Sequence, residues 1–139
     1  MTPDKLEQIY SFFTEFWSAE TSHIPAEWLT STPSMGQAVP TTLLLHDLLG
    51  GEIQSAKIHL RNGHIEPHYW NVVNGQNLDI TRRQYGVSIT SITPHPVPVG
   101  FTSYRGYILK SPSTQKRYEL LKNSLSIKDL ERFFTLIKS

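Results

Sequence analysis

The chain has 139 residues, no cysteine and a formal net charge of +1. That length fits one domain, residues 1–139, with a core that needs neither disulfide nor metal. The missing cysteine excludes disulfides, thiolate metal sites and any thiol nucleophile in this chain. The balanced charge argues against nucleic acid or an acidic membrane surface as partner. Basic residues come in pairs, Arg82-Arg83 and Lys116-Arg117, and not in runs. No apolar run approaches a membrane span and MTPDKLEQ has no signal-peptide profile, so the expected location is the cytoplasm.

Thr2-Pro3-Asp4 reads as an N-cap, a proline at the first helical position and an acid in the first turn. Leu6, Ile9, Tyr10, Phe13, Phe16 and Trp17 follow at helical spacing, which predicts an amphipathic helix to about Ala19. Ser18 to Gly36 shows no sustained period and reads as a long loop, of the kind that often carries function. Residues 37–49, QAVPTTLLLHDLL, predict a second helix, apolar on more than one face and therefore central, that stops at Gly50-Gly51. Two Asn-Gly pairs, at 62–63 and 74–75, delimit strands at about 52–61, 64–73 and 76–81 in an antiparallel meander. VSITSI and YRGYILK are read as further strands around the proline-rich PHPVPVG. STQKRYELLKNSL and SIKDLERFFTLIKS are helical, the second opened by a capping box of Ser126 and Asp129. This order predicts an α+β domain.

Chemistry enters at HYWNVVNGQNLDIT. A two-residue type I′ turn at Asn74-Gly75 would set Val73 opposite Gln76, Asn71 opposite Leu78 and Trp70 opposite Asp79. His68 then shares a face with Trp70 and is the diagonal neighbour of Asp79, close enough for the side chains to bond. A carboxylate against an imidazole is two-thirds of a nucleophilic triad. The third member is expected at the start of the central helix, in PSMGQAVPTT, where amide N–H groups and the helix dipole lower a thiol's pKa and stabilise an oxyanion. Helix start, then His, then Asp is the order of papain-like and transglutaminase-like cysteine enzymes. Position 38, however, is alanine.

Several blocks resemble the YunG-like bacterial proteins: FWSAETS (16–22), the Gly-Gln of MGQAVPTTLLLHDLLGGEI (35–53), HYWN (68–71), LDITRRQY (78–85) and SPSTQKRYELL (111–121). The resemblance implies a cysteine directly after Gly-Gln, at the position of Ala38, with His68 and Asp79 as the matching His and Asp. It implies a fold and a triad but no substrate. Two explanations of Ala38 compete: replacement of a native cysteine by alanine, or a natural pseudoenzyme. The first is expected, because the rest of the constellation is intact.

The expected function is thus thiol-dependent acyl transfer on an amide, ester or thioester, in an α+β domain of papain-like or transglutaminase-like type, with Ala38 at the nucleophile position and this chain inactive. The substrate would be a small molecule, peptide or protein, and no cofactor is called for. Gln37 either donates to the oxyanion or caps the helix. Trp70 is expected to pack over the site, and Asn71, on the opposite face, to be structural. His46 reads as a core or interface residue and His95 as surface loop. The loop Ser18–Gly36, carrying His23, Glu27 and Trp28, and the segment Pro94–Gly100 are the candidate walls for substrate, with Trp28 the foremost single residue, either a ligand-stacking surface or a plug over the core. A rival reading sets His64, Glu66 and His68 on one strand face, with His59 opposite Glu66, as ligands of Zn²⁺ or Fe²⁺. It is disfavoured because i and i+4 on a strand lie about 13 Å apart. The other alternative is a non-catalytic domain that holds a peptide or protein in the same cleft.

Overall fold

A computed structural model describes the whole chain, Met1–Ser139. Helix α1 spans Pro3–Thr14, and Thr2 Oγ1 accepts from the Lys5 amide at 3.2 Å to cap it. It ends five residues short of the expected Ala19. The amides of Phe16 and Trp17 both bond to the Phe13 carbonyl, at 2.9 and 3.1 Å, so the chain tightens and leaves the helix. That turn swings Trp17 inward, where its indole N–H reaches Thr41 Oγ1 at 2.8 Å. The aromatic period continues past the helix because these rings share one core, not one helical face.

Helix α2, Ala38–Leu49, is the central element; Leu43, Leu44 and Leu45 are all buried although they are consecutive. Burial on several faces is what its unbroken apolar run demanded. Gly50 and Gly51, at φ 70° and 76°, turn the chain into strand β1, Glu52–Leu60. Strands β2 (Ile65–Val73), β3 (Gln76–Leu78) and β4 (Ile89–Pro94) complete one antiparallel sheet in the order β3-β2-β1-β4.

The two Asn-Gly pairs make different turns. Asn74 and Gly75 have φ 52° and 75°, the conformation of a two-residue type I′ turn, and Val73–Gln76 and Asn71–Leu78 pair as expected. At 62–63 only Gly63 is left-handed, at φ 87°. Its amide bonds to the Leu60 carbonyl at 3.0 Å, while the Asn62 side chain accepts from the His64 amide at 2.9 Å. The loop therefore holds three residues, and the register moves by one. Ile58 faces Glu66, and His59 faces Ile65. The expected His59–Glu66 pair is corrected accordingly; His59 lies on the other face and bonds to Thr93 Oγ1 at 2.8 Å.

Strand β3 ends at Leu78, not at residue 81, so Trp70 has no ladder partner at Asp79. Beyond it the chain curls through a tight helical turn, Arg82–Tyr85. The short β3 leaves the Tyr69 carbonyl outside the ladder, and Thr42 Oγ1 takes it at 3.2 Å. Asn71 in turn donates to the Thr42 carbonyl at 3.0 Å, which seats α2 along β2 and gives Asn71 the structural role expected of it.

VSITSI supplies β4, but YRGYILK is not a strand. Ser103 Oγ accepts from the Gly106 amide at 3.0 Å and opens helix α3, Tyr104–Ile108. Helices α4 (Pro112–Ser124) and α5 (Ile127–Lys138) follow, the latter with the reciprocal Ser126–Asp129 cap. Asp47 of α2 binds Arg105 of α3 at 2.8 Å and the Tyr118 hydroxyl of α4, tying three helices together. The α+β class is as expected.

The glycine pair gives a direct stability test. A Cβ on Gly51 would lie 2.3 Å from the Val72 carbonyl oxygen, whereas one on Gly50 meets nothing within 4 Å. Gly50→Ala should cost about 1–3 kcal/mol from backbone strain alone. Gly51→Ala should cost more, since backbone must move as well, and urea midpoints of the two variants should rank in that order.

Candidate active site

His68 is completely buried, and its Nε2 lies 3.0 and 2.9 Å from the two carboxylate oxygens of Asp79. The curl after β3 makes this contact, since Asp79 is free of the ladder and can turn toward the imidazole. Arg82 Nε donates to Asp79 Oδ2 at 3.1 Å, so the carboxylate is held from both sides. Trp70 stacks on the imidazole at 5.9 Å between centroids, and the Arg82 guanidinium lies 5.6 Å over the indole.

A carboxylate at Nε2 fixes the proton there and leaves Nδ1 as the acceptor of the neutral ring. The Tyr85 hydroxyl sits 3.4 Å from that nitrogen. Burial, and then the charges of Glu66 and Asp79, push the Tyr85 pKa far above the usual phenol range. The phenol therefore remains a donor, matched to an acceptor nitrogen.

The backbone of His68 is fixed separately. Ser55 Oγ donates to the His68 carbonyl at 2.9 Å and lies 2.7 Å from His95 Nδ1. Because the one serine proton goes to the carbonyl, His95 Nδ1–H is the donor in the second bond. His95 is thus not the free loop residue that its flanking prolines suggest, but packs against Ser55 and the Tyr69 ring. Burial, and then the charge of Lys57, lower its pKa. Burial also raises the Tyr69 pKa to about 12, with Tyr107 adding to the effect.

Position 38 stands at the first residue of α2. Gln37, wholly buried, makes no side-chain cap; it accepts from Thr21 Oγ1 at 2.8 Å and donates to the Ser18 carbonyl at 2.9 Å. It thereby fastens the long loop to the helix start. Gly36, at φ 71°, donates its amide to Gln84 Oε1 at 3.0 Å; a Cβ there would strike Ser22 Oγ at 2.2 Å. The first amide bonded within the helix is that of Thr41, to Gln37 O at 3.1 Å, so the Ala38 and Val39 amides have no helical acceptor.

Ala38 and Val39 line a cavity of about 200 Å³ with Glu66, Tyr69, Gln84, Tyr85 and Arg117 among its other walls. His68 lies behind these walls: Glu66 shares its strand face, and Tyr85 touches its Nδ1. A second cavity of about 400 Å³ shares His23, Glu66, Gln84 and Tyr85 with the first and adds Glu27, Met35 and His64. The long loop is therefore a wall, through His23, Ile24, Glu27 and Met35. Trp28 lines neither cavity; it is half-buried within its own loop and donates its indole N–H to the Pro33 carbonyl at 2.9 Å. Trp70 covers His68 on the Arg82 side. His64, Glu66 and His68 do not converge, since His68 turns to Asp79 and His64 lines the second cavity. His46 bonds to Arg105 through Nδ1 at 3.0 Å. Sequence reasoning misses Tyr85, Gln84, Ser55 and Arg117; Gln84 and Tyr85 follow Asp79 closely in LDITRRQY, which is the one available signal.

With the site in place, comparison with known families is decisive on kinship. The model of the YunG protein family matches residues 5–128. The chain belongs to the YunG family. The matched span covers the His68–Asp79 hairpin, α2 and the whole of α4, so all the cavity walls are family sequence. No curated protein and no solved structure matches the chain. No helix is long and apolar enough to cross a membrane.

Two measurements check this geometry. Asp79→Ala should destabilise the fold by about 1.5–3 kcal/mol, the usual size for a lost charge-assisted hydrogen bond, and nitrogen NMR should show His68 losing its single tautomer. The second concerns His95, whose folded pKa lies below the unfolded value of about 6.5. Its stabilising contribution is complete above that pH and is lost as pH falls through the depressed folded value. Urea midpoints should therefore drop on acidification below about pH 6.5, less steeply in His95→Asn.

Proposed function

We propose that this family site performs thiol-dependent acyl transfer, with a cysteine at position 38 in the active form and Ala38 leaving this chain inactive. The reading is supported by the buried imidazole whose Nε2 is held by Asp79 while its Nδ1 meets the hydroxyl of Tyr85, a residue that lines the same cavity as Ala38. A cysteine there would give its proton to Nδ1, and the thiolate would attack an amide, ester or thioester carbonyl. The position-38 amide, free of any helical acceptor, would receive the oxyanion. His68 would return the proton to the leaving group, and water or an amine would release the acyl group. Asp79 acts by holding the tautomer and stabilising the imidazolium, as in papain-like and transglutaminase-like enzymes. Gln37 acts here by fixing the start of α2. The Tyr85 hydroxyl, at 3.4 Å, makes a long contact that a thiol can displace.

A second reading suits the chain as it stands. Ala38 carries no nucleophile and both His68 nitrogens already have partners, which favours a domain that holds a peptide or protein partner in the same cavity without turnover.

Ala38→Cys separates the two. As an enzyme, the variant should have its single thiol alkylated by iodoacetamide at about pH 6, well below the ordinary thiol pKa of about 8.5, and should give an acyl-enzyme burst with a nitrophenyl ester. Both should fall to simple-thiol behaviour in the His68→Gln background. Thiol labelling that is slow and indifferent to His68 would leave the binding domain as the function.

A further inference from the structure

The cavity beside Ala38 is lined by the two residues whose buried side-chain nitrogens lack a partner, Gln84 through Nε2 and Arg117 through Nε. Buried donors are almost always satisfied, so a pair of exceptions at one cavity calls for an explanation. The orientation of Gln84 is fixed by chemistry: its Oε1 accepts the Gly36 amide at 3.0 Å, and a flipped amide would set N–H against N–H. Its NH2 group must therefore remain where it is.

Arg117 takes part in none of the ion pairs of the molecule, and its side-chain bond to Thr114 Oγ1 is long, at 3.4 Å. Burial lowers its pKa, yet a guanidinium stays charged under all ordinary conditions. Ala38 and Val39, whose amides also lack helical acceptors, line the same cavity, so four of its residues carry donors without a regular partner. Glu66 lines the same cavity and is the opposing charge, which disfavours an anion beside it and leaves Arg117 as the cationic partner.

We propose that Arg117 and Gln84 form a carboxylate-binding subsite beside position 38, so that the ligand is an acyl compound bearing a free carboxylate near its carbonyl. The inference deepens the acyl-transfer reading and rests on it for the word substrate; the subsite itself is also compatible with the binding domain. A planar carboxylate matches the guanidinium fork, and its second oxygen can take the Gln84 amide. Arg117 is a specificity residue in this scheme and takes no part in proton transfer.

The test uses the Ala38 chain, where binding is measured without turnover. N-acetylglycine, N-acetylglycinamide and inorganic phosphate are titrated against the protein by NMR. N-acetylglycine should shift the Ala38 and Val39 amides and the Gln84 side chain, and should bind about tenfold or more tighter than the neutral amide, the usual margin of a charge-assisted over a neutral hydrogen bond. Arg117→Gln should abolish that preference at an unchanged melting temperature, and Arg117→Lys should keep part of it. Equal binding of acid and amide, binding of neither, tighter binding of phosphate, or indifference to Arg117→Gln would each overturn the subsite. If Arg117→Gln is unfolded, the Arg117→Lys titration decides on the same criterion. The two proposals fail separately. A His68-dependent thiol in Ala38→Cys without carboxylate preference removes only the subsite, and a carboxylate preference with an inert thiol in that variant removes only the acyl transfer.

Discussion

A fully buried imidazole needs a partner at each ring nitrogen, and much of this fold is arranged around meeting that need for His68. The Asn74-Gly75 turn brings Asp79 near His68, and because β3 stops at Leu78 and the chain curls away from the ladder, both carboxylate oxygens come within 3.0 Å of Nε2. The same curl brings Tyr85 to Nδ1 and lays Arg82 against both Asp79 and Trp70. By ending early, β3 also frees the Tyr69 carbonyl, which Thr42 then uses to seat α2 beside β2. One short strand thus settles both the imidazole's partners and the place where the central helix begins.

That place is itself over-determined. Gln37 fastens the long loop to α2 through Ser18 and Thr21, and Gly36 fastens it to Gln84 through its amide. Neither contact gives Gln37 a chemical role. Both give position 38 a fixed location, with Arg82–Tyr85 on one side and the loop on the other. Buried polar groups of this kind are worth keeping when they specify one arrangement of the chain. The cavity they enclose is lined by Gln84 and Arg117 together with the carboxylate of Glu66, and the neighbouring cavity adds that of Glu27.

Serine and histidine on the other face repeat the logic at second remove. Ser55 holds the His68 carbonyl, and His95 holds Ser55, under a cover of Tyr69 and Tyr104. His68 is therefore fixed through its ring by the segment after β3 and through its backbone by β1 and the end of β4. Membership of the YunG family extends over all of these elements.

Much of this is legible in the sequence wherever the deciding forces are local. The caps at Thr2 and Ser126, the apolar run of α2, the Asn74-Gly75 turn and hence the His68–Asp79 proximity each depend on a few neighbouring residues. Asn62-Gly63 has the same dipeptide as Asn74-Gly75, yet its asparagine bonds to the His64 amide and stays out of the left-handed region, which moves the register by one and puts His59 on the other face. Nothing within the dipeptide distinguishes the two. Helix α3 escapes a sequence reading for a related reason: Tyr104, Tyr107 and Ile108 suit a strand by composition, and only the Ser103 cap and packing against the core make them helical. The sequence by itself determined the α+β class, the central helix and the histidine–aspartate pair. Tertiary structure alone decided where β3 ends and that Tyr85, Gln84 and Arg117 meet Ala38 at one cavity, because contacts between residues 36, 84 and 117 depend on how whole elements pack and leave no periodic trace along the chain.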